Sequence, residues 1–111
     1  MNVQIFGIKK SNDTRSTERY FKERGIPVHF VDLSEKEISR GELAGIKRSV
    51  SSDELIDKEC KEYKKLNLAY MQYDVDTVIL ENPLLVKMPI VRYGEKASCG
   101  YKPELWKEWL K

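Results

Sequence analysis

Two short apolar runs, Val3-Gln-Ile-Phe-Gly7 and Val28-His-Phe-Val-Asp-Leu33, flank a charged segment, and no other arrangement constrains the fold as strongly. Asn12 and Asp13 are good helix caps. The run Asp13-Thr-Arg-Ser-Thr-Glu-Arg-Tyr-Phe-Lys-Glu-Arg24 then predicts a helix that Gly25 stops. Pro27 leads into the second run. Strand, helix and strand joined by short returns predict a parallel pair with a right-handed crossover.

A helical middle follows. Ser39-Arg-Gly-Glu42 fits a capping box ahead of Leu43 and Ile46 on one face. Ser52-Asp-Glu opens another helix, in which Leu55, Ile56, Cys60 and Tyr63 share a stripe and Cys60 faces the core. Asp74 to Glu81 is β-branched, but its polar start and its stop at Asn82-Pro83 favour a short helix. Met88 to Tyr93, the turn at Gly94-Glu95 and Lys96 to Gly100 predict a β-hairpin, with proline tolerated at the strand's opening. Pro103 starts a last helix, Glu104 to Leu110, whose Leu105, Trp106, Trp109 and Leu110 pack on the sheet.

Composition removes several function classes. A length of 111 residues suits one domain with a core that needs no disulfide staples. The formal net charge is only +2, from 20 basic and 18 acidic residues. Lysines interleave with glutamates, so no basic block marks a nucleic-acid binder. No apolar run approaches membrane-spanning length and the chain opens directly into a strand, which makes the cytoplasm the expected compartment. Cys60 and Cys99 form no Cys-x-x-Cys pair and are expected as reduced thiols. The single histidine, His29, alternates with apolar neighbours as a half-exposed strand residue and is not expected to build a metal site.

Four segments together carry a family resemblance over essentially the whole length: Ile5-Phe-Gly-Ile-Lys-Lys-Ser-Asn-Asp-Thr-Arg15, Leu55-Ile-Asp-Lys-Glu-Cys-Lys-Glu-Tyr-Lys-Lys-Leu-Asn-Leu68, Glu81-Asn-Pro-Leu-Leu-Val-Lys-Met-Pro-Ile-Val91 and Gly100-Tyr-Lys-Pro-Glu104. In order and spacing they resemble the active-site loop, insertion helix, cis-proline segment and terminal motif of the bacterial-type arsenate reductase (ArsC)/Spx family. The resemblance implies an α/β, thioredoxin-like (glutaredoxin-like) mixed β-sheet. It implies a single domain over 1–111 with a helical insertion at about 36–83.

The same resemblance puts Ser11 where the family's nucleophilic cysteine belongs. A thiol there would be acidified by the helix N–H groups, whereas a serine hydroxyl stays protonated without an adjacent base. The family also clamps its oxyanion with arginines. At the corresponding positions this chain has Asp57, Met88 and Gly100. Pro89 matches the cis-proline facing the loop. Lys10, Asn12, Arg15, Met88 and Pro89 are the candidate substrate-binding residues around Ser11, with Lys9 flanking it. Cys99, near Gly100, is the candidate replacement redox thiol.

The expectation is an ArsC-family oxidoreductase scaffold without arsenate reductase activity and without a resident cofactor. One alternative is a glutaredoxin-like thiol oxidoreductase or arsenate reductase whose native cysteine at position 11 was replaced, with glutathione, glutaredoxin or thioredoxin as reductant. The other is an Spx-like regulator that binds the C-terminal domain of the RNA polymerase α subunit, though the chain lacks that switch's Cys-x-x-Cys.

Overall fold

The computed structural model describes residues 2–111. Strand β1 (Val3–Gly7) lies parallel to β2 (Val28–Asp32), Val3 opposite Val28 and Gly7 opposite Asp32. On its other side β1 pairs antiparallel with β3 (Ile90–Tyr93), which pairs antiparallel with β4 (Lys96–Cys99). The sheet order is therefore β2-β1-β3-β4. This is the expected thioredoxin-like mixed sheet, with its first two strands parallel and the closing hairpin in place.

Strand alternation sorts the apolar side chains into two cores. Val3 and Ile5 of β1 and Val91 of β3 meet Tyr20 and Phe21 of α1 (Asn12–Glu23) and Trp106 of α6 (Pro103–Trp109). Phe6 and Ile90 point to the opposite face, against Leu43 and Ile46 of α2 (Arg40–Lys47), Leu55 of α3 (Ser52–Leu55) and Ile79 of α5 (Val75–Glu81). Burying each such side chain contributes about 1.5–3 kcal/mol. A third, smaller cluster joins Ile56, Tyr63, Leu68, Val78 and Leu85 within the segment between β2 and β3. Among the described residues no helix is long and apolar enough to cross a membrane.

Several elements form as read. The capping box is complete, Ser39 Oγ accepting from Glu42 N–H at 3.1 Å and Glu42 Oε1 from Ser39 N–H at 2.9 Å. The segment ending at Glu81 is helical, with Asp74 as its N-cap. Met88–Pro89 is a cis peptide just ahead of β3, so that strand starts at Ile90 and not at Met88. Strand β4 stops at Cys99 because Gly100 turns to φ +81, its N–H donating to Pro89 O at 2.9 Å. Leu105 departs from the expected apolar face of α6: it is 40% exposed, while Trp106 is fully buried.

The predicted continuous helix from Ser52 through Tyr63 does not form. Helix α3 ends at Leu55, and Ile56 adopts extended backbone to bridge Val86. Asp57 N–H donates to Leu85 O and Lys87 N–H to Leu55 O, both at 2.7 Å. Asp57 Oδ1 also accepts from Glu59 N–H at 3.0 Å, a local bond that competes with helical continuation. The chain resumes as α4 (Lys61–Lys65), with Cys60 at its N-cap. Long-range pairing has overridden helix periodicity, yet Cys60, half-buried, still packs against the cluster of Ile56 and Tyr63.

Candidate functional site

The loop after β1 is where the parallel pair, the insertion and the cis-proline segment converge. Ile8 O accepts from Ser11 N–H at 3.1 Å, closing the Lys9-Lys10 turn. Ser11 itself is the N-cap of α1, a role expected of Asn12 or Asp13. Its Oγ accepts from Thr14 N–H at 3.2 Å, satisfying one of the free donors of the first turn. Among the described residues that N–H is the only hydrogen-bond partner of Ser11 Oγ.

A cleft of about 440 Å³ opens beside this hydroxyl. Asp57, Cys60, Lys61 and Glu62 form one wall, Ser11 and Asp13 another, and Ile8, Leu84, Val86 and Met88 supply the apolar lining. The bridge between Ile56 and Val86 brings the insertion against the cis-proline segment and so places Asp57 and Met88 in the same cleft as Ser11. Three carboxylates, those of Asp13, Asp57 and Glu62, face this space against one ammonium, that of Lys61. An oxyanion entering it meets net negative charge, and the low-dielectric lining strengthens the repulsion.

The remaining sequence candidates distribute as follows. Pro89 is buried in the cis form behind Met88. Lys9 and Lys10 are exposed in the turn, and neither they, Asn12 nor Arg15 lines the cleft. The Arg15 guanidinium donates to Asn12 Oδ1, which ties it to its own helix. Gly100 also lies outside the cleft lining.

The two thiols differ sharply. Cys99 is buried in the core between the sheet and the insertion, and its Sγ donates to Glu54 O at 3.4 Å. Burial is the main cause that pushes this thiol's pKa up; Lys102 and Lys87 pull it down and Glu54 adds to the rise. Cys60 instead reaches the cleft, its Sγ 3.9 Å from Leu84 O. Periodicity had hidden Cys60 and Glu62 from the site. The readable signal was Asp57, whose side chain favours a turn two residues on and so breaks the helix ahead of Cys60.

The mixed β2-β1-β3-β4 sheet, with a strand-to-helix loop after β1 and a cis-proline just ahead of β3, places the chain in the thioredoxin-like class. Within that class the chain belongs to the ArsC family, whose model matches residues 6–109. It is similar to the global transcriptional regulator Spx of Staphylococcus saprophyticus, with 24% identity covering 97% of this chain and 86% of that protein. Among solved structures it is similar to the YffB protein, with TM-score 0.86, 19% identity and coverage of 99% of this chain and 100% of that one. It is also similar to an arsenate reductase from Vibrio cholerae, with TM-score 0.82, 26% identity and 97% of each chain covered.

Proposed function

We propose that this ArsC-family protein acts by binding a partner and does not reduce arsenate. The observation that carries the reading is the state of Ser11. Its hydroxyl caps α1 through Thr14 N–H, bonds to no base among the described residues, and opens on a cleft with three carboxylates and one lysine. A neutral hydroxyl in that setting is neither an activated nucleophile nor part of an anion clamp. The resemblance that sets Ser11 at the nucleophile position, and Asp57 and Met88 at clamp positions, supports the same conclusion. A cytoplasmic setting belongs to this reading, and no cofactor enters it.

The similarity to Spx favours a second reading on the same scaffold, regulation through the C-terminal domain of the RNA polymerase α subunit. Absence of micromolar binding to that domain would remove it.

The test is a thiol-coupled reductase assay with arsenate and with a glutathione mixed disulfide, on this chain beside Ser11→Cys. The unmodified chain is expected to turn over neither substrate. Ser11→Cys is expected to gain disulfide turnover, because the Thr14 N–H would then stabilise a thiolate, yet to stay silent with arsenate. Arsenate reduction by the variant would restore the reading of a reductase whose cysteine was replaced, with glutathione, glutaredoxin or thioredoxin as reductant. Turnover by the unmodified chain would overturn the binding reading outright.

A further inference from the structure

The cleft beside Ser11 continues past its own walls. At Glu62 and Leu84 it meets a second hollow of about 400 Å³ bounded by the stretch after β2 and by the end of α5. Six carboxylates line the joined groove: Asp13, Asp57 and Glu62 in the first part, Glu35, Glu37 and Glu81 in the second. Only Lys36 and Lys61 oppose them, in a chain whose formal net charge is +2. None of the six takes part in an ion pair among the described residues, where Glu18, Asp76 and Glu108 hold lysines elsewhere. Between these walls runs an apolar strip, Ile8, Leu84 and Met88 half-exposed over buried Val86.

We propose that this groove docks an extended polypeptide segment in which apolar side chains alternate with lysine or arginine. The proposal rests on the binding reading above and deepens it by naming the partner's chemistry. In an extended chain successive side chains point to opposite sides, so one set can reach the apolar strip while the other meets the carboxylates. Unpaired carboxylates on the walls steer a basic partner in, and burial of the strip holds it. The same charge turns away nucleic acid and anionic lipid, whose phosphates require basic surfaces. A small polyamine would satisfy the walls but leave Ile8, Leu84 and Met88 in water.

The test is fluorescence anisotropy with a labelled short peptide alternating leucine and lysine. Matched peptides alternating leucine with glutamate and serine with lysine serve as comparisons, and spermidine as competitor. The leucine–lysine peptide is expected to bind, and to weaken as salt rises. Asp57→Asn with Glu62→Gln should lower its affinity by roughly tenfold, and Met88→Ser should raise its dissociation rate. Near-UV circular dichroism on each variant checks that the fold is kept. Failure to bind, equal binding of either comparison peptide, indifference to the variants, or full displacement by spermidine would each overturn the proposal. If the peptide fails while the unmodified chain stays silent with arsenate and disulfide, only the partner's chemistry is wrong. Turnover by the unmodified chain would instead remove the binding reading.

Discussion

One face of the sheet is closed by aromatic rings, while the other is roofed by short helices that leave a groove. On the first, Tyr20, Phe21 and Trp106 touch pairwise with centroids 5.2 to 5.5 Å apart. Trp106 Nε1 donates to Ser98 Oγ at 2.9 Å and Tyr20 Oη to Pro103 O at 3.2 Å, so the indole and the phenol of this core are both paired. On the second face α3 and α4 are only four and five residues long, too short to be stable alone. They are held by the bridge to Val86 and by burial of Leu55, Ile56 and Tyr63. The closed face is locked by packed rings and paired polar tips, whereas the short helices of the other leave an open groove.

The largest effect expected is at the closed face. Trp106→Ala removes a fully buried indole and strands Ser98 Oγ, at a cost of about 3–5 kcal/mol in urea unfolding. A loss near zero would mean that the aromatic core is not what anchors α6.

Next comes a contrast between the thiols. Cys60, in the groove, should react with iodoacetamide at pH 8 at least about tenfold faster than Cys99, which is buried with its pKa raised. Mass spectrometry of the labelled peptides reads the ratio. Equal rates in the native protein would mean that the insertion opens readily and the two faces differ less than their packing suggests.

A smaller effect of opposite sign is expected at Thr14. Its Oγ1 is buried without a hydrogen-bond partner, where α1 crosses Gly7 so closely that a Cβ there would lie 2.5 Å from that oxygen. Thr14→Val keeps the shape and removes the unsatisfied hydroxyl, and should stabilise the chain by about 1 kcal/mol. Destabilisation would expose a partner for the hydroxyl.

The smallest effect concerns the insertion in acid. Asp74 caps α5 through Thr77, whose side-chain and backbone bonds hold its carboxyl below the ordinary value of 3.8. A lowered folded-state pKa gives stability that is present above pH 3.8 and lost as pH falls through the folded value. Asp74→Ala should therefore lower the Tm slightly at pH 7, and the difference from the parent should shrink below pH 3.8. A constant difference across that range would mean that the cap works without its charge.

Local chemistry made much of the fold legible. Gly25 ends α1 at φ +71, Gly94 turns the hairpin at φ +62, and Ser39 with Glu42 starts α2, because each acts within a few residues of itself. The cap of α1 falls on Ser11 and not on Asn12 or Asp13, a shift of local geometry with consequences for the site, since it gives the Ser11 oxygen a structural duty. The candidate site was legible only in part. Ser11 and Met88 do line one cleft, but Lys10, Asn12 and Arg15 do not, because the turn and the outer side of α1 leave them in solvent. Cys60 and Glu62 joined the site unannounced, since a helical stripe predicts burial only where the helix continues.

By itself the sequence determined the parallel opening pair, the capped helices and the closing hairpin. These follow from periodicity, caps and turns, which are short-range. Tertiary structure alone decided that Ile56 leaves its helix to pair with Val86 and that Cys60 faces the groove while Cys99 is sealed. It also decided that carboxylates scattered from Asp13 to Glu81 line one channel. Those outcomes depend on bonds such as that from Asp57 N–H to Leu85 O, between residues far apart in the chain, and pairing at that range leaves no period in the sequence to read.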